Sequence, residues 1–463
     1  MSATLIFLIT AFIFIFEGRM IVQLITKNQL TCLEQWALGI PVFALVNVLI
    51  VFVCTVFKIP LTFLIIFALH AVVITGCVFL KKKYISKPAD HYSLLTTHYS
   101  LGKKLLITII VLSIIIKLFY GFTHAVNLPT FYYDSLSQWN LRARASYEDM
   151  AIAFDSTEER GISKVQYPIL LHSMQISFML PHGEWKDRVA NGSTFLLTFT
   201  SFLALFLVIA RRDLFFSVIT IGSIFAIPLI TIHLSQGYGD IHVLQYFMLS
   251  AVMLMLGLGG RDLLTGDSLT RVPLLVMSAI FISAAAWTKQ DGFFFGVIPW
   301  IFIVGISSFI TSKTSTTSIT SKTPITLALI LSIPWSAYLL TKGLSLSPHS
   351  NDFQIAWHGE ALTEAIKAVF ARGSFGIFWY VVPIFLIIVL TGIRKKWNEY
   401  IPELTIICFG AVTFLQSIFV YFFTPNVQFL INSQTFSRTM LIPLVLLLFG
   451  SLLALEKKLR HDV

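Results

Sequence analysis

LLITIIVLSIIIKLFYGFTHA, residues 105–125, carries one charge, Lys117. An α-helix rises 1.5 Å per residue and the hydrocarbon core of a bilayer is about 30 Å thick, so a run of this length and polarity reads as a transmembrane helix. Comparable runs extend outward in both directions, at 3–25, 36–57 and 60–80 before it and at 193–210, 213–234, 241–259, 272–288, 292–311, 324–341, 374–393, 401–424 and 438–455 after it. With about 13 such spans, the chain is expected to be an all-α polytopic membrane protein.

Composition agrees. Of 463 residues, 56% are hydrophobic and 12% charged, with a mean hydropathy of +0.82; soluble domains carry about 45–50% apolar and about 25% charged residues. The net charge of +10 is scattered through short connections instead of gathering into a basic face with interleaved aromatics, which argues against nucleic acid as a partner. Cys32, Cys54, Cys77 and Cys408 have no CxxC spacing and read as small core residues, with neither a disulfide framework nor a metal site. The opening MSATLIFLITAFIFIF lacks the basic n-region of a cleavable signal peptide and reads as a first helix. Neither a linker nor an internal repeat divides the chain, and the Ser/Thr-rich stretch 311–323 reads as a polar connector.

Lys and Arg in short loops favour the cytoplasm. Lys81, Lys82, Lys83, Lys87, Lys103, Lys104, Arg211, Arg212, Arg261, Arg271, Lys313, Lys322, Arg394, Lys395, Lys396 and the KKLR at 457–460 all fall on one side of the count. The other side receives segment 126–192, the HLSQGYGD turn, WTKQDG, residues 342–373 and TPNVQFLINSQTFSR. Glu17 and Arg19 interrupt the first span, as an intramembrane pair or through a tilt that lets both reach water. Lys117 is expected to snorkel to the outer interface.

Segment 126–192 is far longer than an ordinary helix connection, which marks it as functional or domain-like. In PTFYYDSLSQWNLRARASYEDM, the residues Leu136, Trp139, Ala143, Tyr147 and Met150 share one helix face, and Gln138, Arg142, Glu148 and Asp149 the other. This pattern predicts a helix lying on the outer membrane surface with Trp139 as its anchor. Asp134 begins it, either as a plain N-cap or as a carboxylate aimed to take a proton from an acceptor hydroxyl, two compatible readings. After Tyr167-Pro168, an apolar stretch too short to span predicts a second interfacial or half-buried helix. His172 within it reads as a polar core contact, and with no HxxxH or HExxH partner no protein metal cage is expected.

In SQGYGDIH, glycines permit a tight turn and close approach of the backbone to a ligand. Asp240 is then a second carboxylate on the outer side, a hydroxyl-binding or base group or else a helix cap. WTKQDG places Lys289 and Asp291 there too, so that Lys289 either holds a phosphate or pairs with Asp291, and Arg438 poses the same alternative. The outer face thus collects acids Asp134 and Asp240, cations Arg142, Arg144, Lys289 and Arg438, and aromatics Tyr132, Tyr133, Trp139 and Tyr238. Such an inventory suits a phosphate-bearing amphiphile and a hydroxylated substrate. A transporter would show related halves or Gly/Pro-broken helices near the midplane, and neither is evident in the sequence.

YYDSLSQWNLRARA, QYPILLH, GYGD and WTKQDG, in this order and on one side of the membrane, resemble motifs of the membrane-embedded glycosyltransferases of the GT-C fold. The resemblance is to the bacterial family-39-like group that includes lipid A and lipopolysaccharide sugar transferases, and it covers residues 105–300. Asp291 stands where that group has Glu. The resemblance implies a GT-C-like bundle of about 13 helices, with residues 105–463 as its core, outer loop 126–192, and residues 1–104 as additional helices and a basic cytoplasmic loop. It further implies transfer of a monosaccharide, with inversion, from a polyprenyl-phosphate sugar to a lipid or glycan acceptor on the outer, periplasmic face of the inner membrane. Asp134 and Asp240 would be catalytic, and Arg142, Lys289, Arg438, Tyr133, Trp139 and Tyr238 would bind substrate or phosphate. Some relatives require a divalent cation and others do not. A flippase of lipid-linked sugars, or a polymerase or ligase of the same pathway, is the alternative.

Overall fold

The computed structural model describes residues 2–27, 29–84, 99–128, 130, 133–154, 160–259, 271–314, 322–346, 355–394, 396–431 and 435–461. Among these the elements are helices throughout. An N-terminal group comprises α1 (Ala3–Thr26), α2 (Cys32–Ala37), α3 (Gly39–Val56) and α4 (Phe63–Tyr84). Next, α5 (Leu101–Asn127) leads through a π-helical turn (Ser135–Trp139) into α6 (Asn140–Glu148), α7 (Leu170–Met179) and α8 (Asp187–Ala210). The centre follows with α9 (Leu214–Ala226), α10 (Pro228–Gln236), α11 (Gly239–Leu258), α12 (Arg271–Thr288), α13 (Ile298–Thr314) and α14 (Lys322–Thr341). The remainder is α15 (Ala361–Ile366), α16 (Phe378–Ile393), α17 (Ile401–Phe423), α18 (Val427–Ile431) and α19 (Phe436–His461).

Every apolar run of the sequence is helical. Among the described residues, 9 helices are long and apolar enough to cross a membrane, α9 with α10 forms a bent tenth span, and Val272–Thr288, Gly292–Ser307 and Phe378–Ile393 are shorter apolar helices. All of α11 is buried; it packs against α12, while α17 packs along α19. Lys87 and Arg261 lie outside the described residues, as does much of the 311–323 connector.

The stretch 213–234 is not one straight span, and the expected absence of a Pro-broken helix is corrected: α9 and α10 meet at 78°. Pro228 has no N–H to donate and its ring excludes a continuous helix. The Leu229 N–H turns to the Ser374 carbonyl at 3.1 Å, which frees the Phe225 carbonyl. Lys117 fills that vacancy, donating from Nζ at 2.5 Å. It therefore bonds inside the bundle instead of snorkelling to the interface.

The first span also departs from expectation. Glu17 is fully buried and lies 2.9 Å from His70 Nδ1, while Arg19 stacks over Trp36 at 4.6 Å and donates to the Cys32 sulfur. The acid and the base thus take separate partners, and Glu17 does not reach water. Of the cysteines, only Cys54 and Cys77 are buried; Cys32 and Cys408 are exposed, so the core reading fails for them.

At the end of the bundle where the sequence places the basic loops, charges tie helix termini together. Arg211 pairs with Glu34, and Arg212 with Glu403 at 2.9 Å and Glu456 at 3.0 Å. Arg460 also reaches Glu456.

The two helices of segment 126–192 are embedded more deeply than amphipathic patterning suggested. Trp139 and Ala143 are buried but Leu136 and Met150 exposed, and Gln138 and Arg142 are buried but Glu148 and Asp149 exposed, so burial does not follow the two predicted faces and the interfacial reading of α6 fails. The buried part of the polar face is covered by the chain that follows it: Gln138 accepts from the Lys164 N–H and donates to the Lys164 carbonyl, both at 2.8 Å. Every residue of α7 is buried, which makes it a core helix and not a half-buried one.

α1 and α3 cross at glycines. A Cβ built on Gly18 would stand 1.8 Å from the Gly39 carbonyl oxygen, so this close approach admits no side chain. Gly18→Val is expected to lower the thermal unfolding midpoint of the detergent-solubilised protein, through overpacking on the order of 1–3 kcal/mol or more. Gly76→Ala, where a Cβ meets nothing within 4 Å, should leave the midpoint unchanged.

Candidate functional site

Four parts of the chain bring charge to one end of the bundle. Asp134 stands just before the π-helical turn, Asp240 is in the first turn of α11, Lys289 follows the end of α12, and Arg438 is in the first turn of α19. Arg438 pairs with Asp134 and lies 3.4 Å from Asp240. Lys289 donates to Asp240 at 2.8 Å and stands 2.8 Å from Asp291. The order Asp134, Arg438, Asp240, Lys289, Asp291 is thus a continuous alternation of charge. Tyr238 completes it, its ring 5.1 Å beneath the Arg438 guanidinium.

Each sequence alternative can now be reported. Asp134 heads the turn but makes no side-chain capping bond, so the plain N-cap reading is corrected and its carboxylate goes to Arg438. Asp240 is likewise no cap: Tyr238 holds that position, and the buried carboxylate is spent on Lys289 and Arg438. Lys289 takes both Asp240 and Asp291 as partners. Burial opposes its charge, but the two carboxylates outweigh burial and hold its pKa well above the ordinary lysine value. The amine therefore stays cationic at neutral pH.

Polarity is unevenly used within this set. Arg438 directs one terminal nitrogen at both carboxylates while its buried Nε has no protein partner, so the guanidinium keeps donors unspent. Asp134 has a side chain 32% exposed, against 9% for Asp240. An incoming hydroxyl therefore meets Asp134 more readily. Among the described residues no three His, Cys, Asp or Glu side chains converge as a metal-ligand set.

Trp139 does not anchor the chain in the interface. It is buried as the floor of the site, stacked on Tyr167 with ring centroids 5.5 Å apart and planes within 6°. Gly239 lies against it so closely that a Cβ there would come within 2.6 Å of the indole, and Gly237 adopts φ +64 at the end of α10. Gly239 thus brings the backbone onto Trp139, while Gly237 makes the turn. His172 packs against the same indole at 5.5 Å, and burial, followed by the charge of Arg142, holds its pKa well below the ordinary value. Burial pushes the Tyr167 phenol up to about 12, which leaves it neutral and unfit as a base near pH 7.

Arg142 is not brought to the cluster. It is fully buried, donating from Nε to the Ala153 carbonyl at 3.0 Å and from a terminal nitrogen to the Tyr167 carbonyl at 2.7 Å, with its face over Phe154. Burial lowers its pKa to about 9. It clamps the loop over α6. Arg144 pairs with Glu148 at 2.8 Å on the surface, Tyr133 is 75% exposed beside Asp134, and Tyr132 lies outside the described residues.

Sequence reasoning missed two supports of the site. The Gln166 carbonyl accepts from both Gln290 and the Trp335 indole at 3.0 Å, joining the Tyr167 loop to the WTKQDG turn. His233, buried in α10, lies 5.3 Å from the Tyr238 ring. No local pattern distinguishes these side chains from ordinary helix or loop residues.

No family model matches the chain, and no curated protein matches it in sequence. Solved structures do match in shape. Over 77% of this chain and 60% of the other, it is similar to ArnT from Cupriavidus metallidurans in the apo state, with TM-score 0.51 and 12% identity. ArnT from the same organism bound to undecaprenyl phosphate is similar over 79% of this chain and 63% of that one, with TM-score 0.50 and 12% identity. The chain spans about three fifths of the length of these structures. Its fold is accordingly that of a polytopic, all-α membrane protein of the GT-C type.

Proposed function

We propose that this protein is a membrane glycosyltransferase that moves a monosaccharide from a polyprenyl-phosphate sugar to a lipid or glycan acceptor at the outer face of the inner membrane, with inversion. The observation that carries the reading is the ion chain at one end of an apolar bundle, in which the part-exposed carboxylate of Asp134 pairs with Arg438 and Arg438 shares Asp240 with Lys289. The shared fold supports it, since one of the similar ArnT structures is bound to undecaprenyl phosphate.

The chemistry follows from the charges. Asp134 takes the proton of the acceptor hydroxyl while that oxygen forms its bond to the anomeric carbon. On the opposite face of the sugar the bond from carbon to phosphate oxygen breaks, and the electron pair leaves with the polyprenyl phosphate. The leaving group is a weak base that needs no acid. It needs positive charge held in place, which the unspent donors of Arg438 and the amine of Lys289 supply. Asp240 keeps both cations at the required spacing, and Tyr238 supports the guanidinium face. The apolar helices accommodate the polyprenyl tail.

The bend between α9 and α10 resembles a feature of transporters. Here its freed carbonyl is occupied by Lys117, and α10 leads directly into the GYGD turn, so the bend serves to deliver Asp240 and Tyr238.

Transfer from defined polyprenyl-phosphate sugars, measured with purified protein in lipid vesicles, tests the reading. Asp134→Asn should reduce kcat by about 10²–10⁴-fold, with a smaller loss of thermal stability than Asp240→Asn because Arg438 keeps Asp240 as a partner. If the wild type transfers no sugar yet moves lipid-linked substrate across the vesicle wall, the transferase reading falls. Lys289→Ala and Arg438→Ala should each lower kcat/KM by about 10²–10³-fold, since each removes preorganised charge from the leaving phosphate. Arg142→Lys should instead act chiefly on stability, measured as a lower unfolding midpoint, because the guanidinium's paired carbonyl bonds are lost.

A further inference from the structure

Away from the ion chain, a second polar chain runs through the apolar interior. Glu17 on α1, Asn47 on α3, His70 on α4 and Ser177 on α7 are all buried. His70 Nδ1 lies 2.9 Å from the Glu17 carboxylate and Nε2 lies 3.1 Å from the Asn47 side-chain oxygen, which also accepts the Ser177 hydroxyl at 2.7 Å. Both ring nitrogens of His70 therefore face oxygens.

A second, separate set of hydrogen bonds leaves another side of α7. Two residues before Ser177, Gln175 donates to the Asn140 side-chain oxygen at 2.7 Å, and Asn140 donates to Asn191 at 2.7 Å and to Thr130 at 2.6 Å. Asn140 is the first residue of α6 and directly follows the π-helical turn that Asp134 precedes. Apolar packing fixes the distance between helices better than their rotation, because any face of Leu or Ile fits nearly as well. A buried hydrogen bond has one geometry, and breaking it leaves a polar group without a partner.

We propose that the N-terminal helices act as a positioning unit for the catalytic loop: through Glu17, His70, Asn47 and Ser177 they fix the rotation of α7, and through Gln175 and Asn140 α7 fixes the place of Asp134. This inference rests on the proposed transferase reading for its kinetic consequence but not for its structural one. None of these side chains belongs to the ion chain, so all are positioning residues.

Full-length Ser177→Ala, which removes one hydroxyl, and Gln175→Leu test it by hydrogen–deuterium exchange and by kinetics in the same vesicles. Exchange should rise in residues 135–148 and stay at the wild-type level in α11. Where transfer is measurable, kcat should fall by about 10–10²-fold with KM for the polyprenyl-phosphate sugar unchanged. Because the two sets act in series through α7, the double variant should lose little more than either single one. Increased exchange confined to 135–148 in the variants, with a wild type that transfers no sugar, would retain the positioning unit and reject the transferase reading. Unchanged exchange in that segment, or exchange raised equally across α11, would overturn the positioning unit whatever the activity.

Discussion

Charge in a bundle this apolar is stable only when it is paired, and the alternation Asp134, Arg438, Asp240, Lys289, Asp291 is the arrangement on which the site end depends. Removing one member of a buried ion pair leaves the other uncompensated at a cost of about 3–5 kcal/mol. Asp240 has the least exposure among the carboxylates and touches both cations, so it couples the start of α11, the end of α12 and the start of α19. Asp134 joins from the π-helical turn through Arg438 alone. Asp134 is thus restrained from this chain by a single partner, and other contacts must hold its loop.

Those contacts are of two kinds. Beneath the charges, Trp139 is enclosed by Tyr167, His172 and the side-chain-free surface of Gly239, a packing that sets the level of the turn against α11. Around it, Gln138 grips Lys164 by two backbone bonds and Arg142 grips the carbonyls of Ala153 and Tyr167, so the segment after α6 folds back over this part of its polar face. A guanidinium with several donors in a fixed fork suits that second task. Toward the far end of α19, roughly 27 Å from Arg438 by helix rise, Arg212 holds Glu403 and Glu456 together, so the same helix is fixed by charge near both termini.

The helices were legible because lipid imposes a local test on each: length and hydrophobicity decide whether a segment can cross, without reference to its neighbours. Every apolar run became a helix for this reason. Pro228 was equally readable as a residue, yet its effect was not, since prolines kink some spans slightly and break others; the 78° bend depends on Ser374 accepting the displaced N–H and Lys117 donating to the vacated carbonyl. Helical periodicity placed Trp139 and Ala143 opposite Gln138 and Arg142, yet all four are buried, because the chain that follows α6 folds back over Gln138 and Arg142 while Glu148 and Asp149 stay exposed.

The sequence by itself determined an all-α membrane protein and placed Asp134, Asp240, Lys289 and Arg438 at one end of its bundle, since each of these depends on residue type and distance along the chain. Tertiary structure alone decided which charge meets which. Asp134 and Arg438 are separated by 304 positions, and no local spacing distinguishes that pair from Asp134 as a cap or Arg438 as a surface cation. It likewise turned Arg142 away from the site and joined Glu17 to His70 in place of Arg19. Partner choice among buried charges is settled by desolvation, which acts only after the helices have packed and excluded water from every alternative.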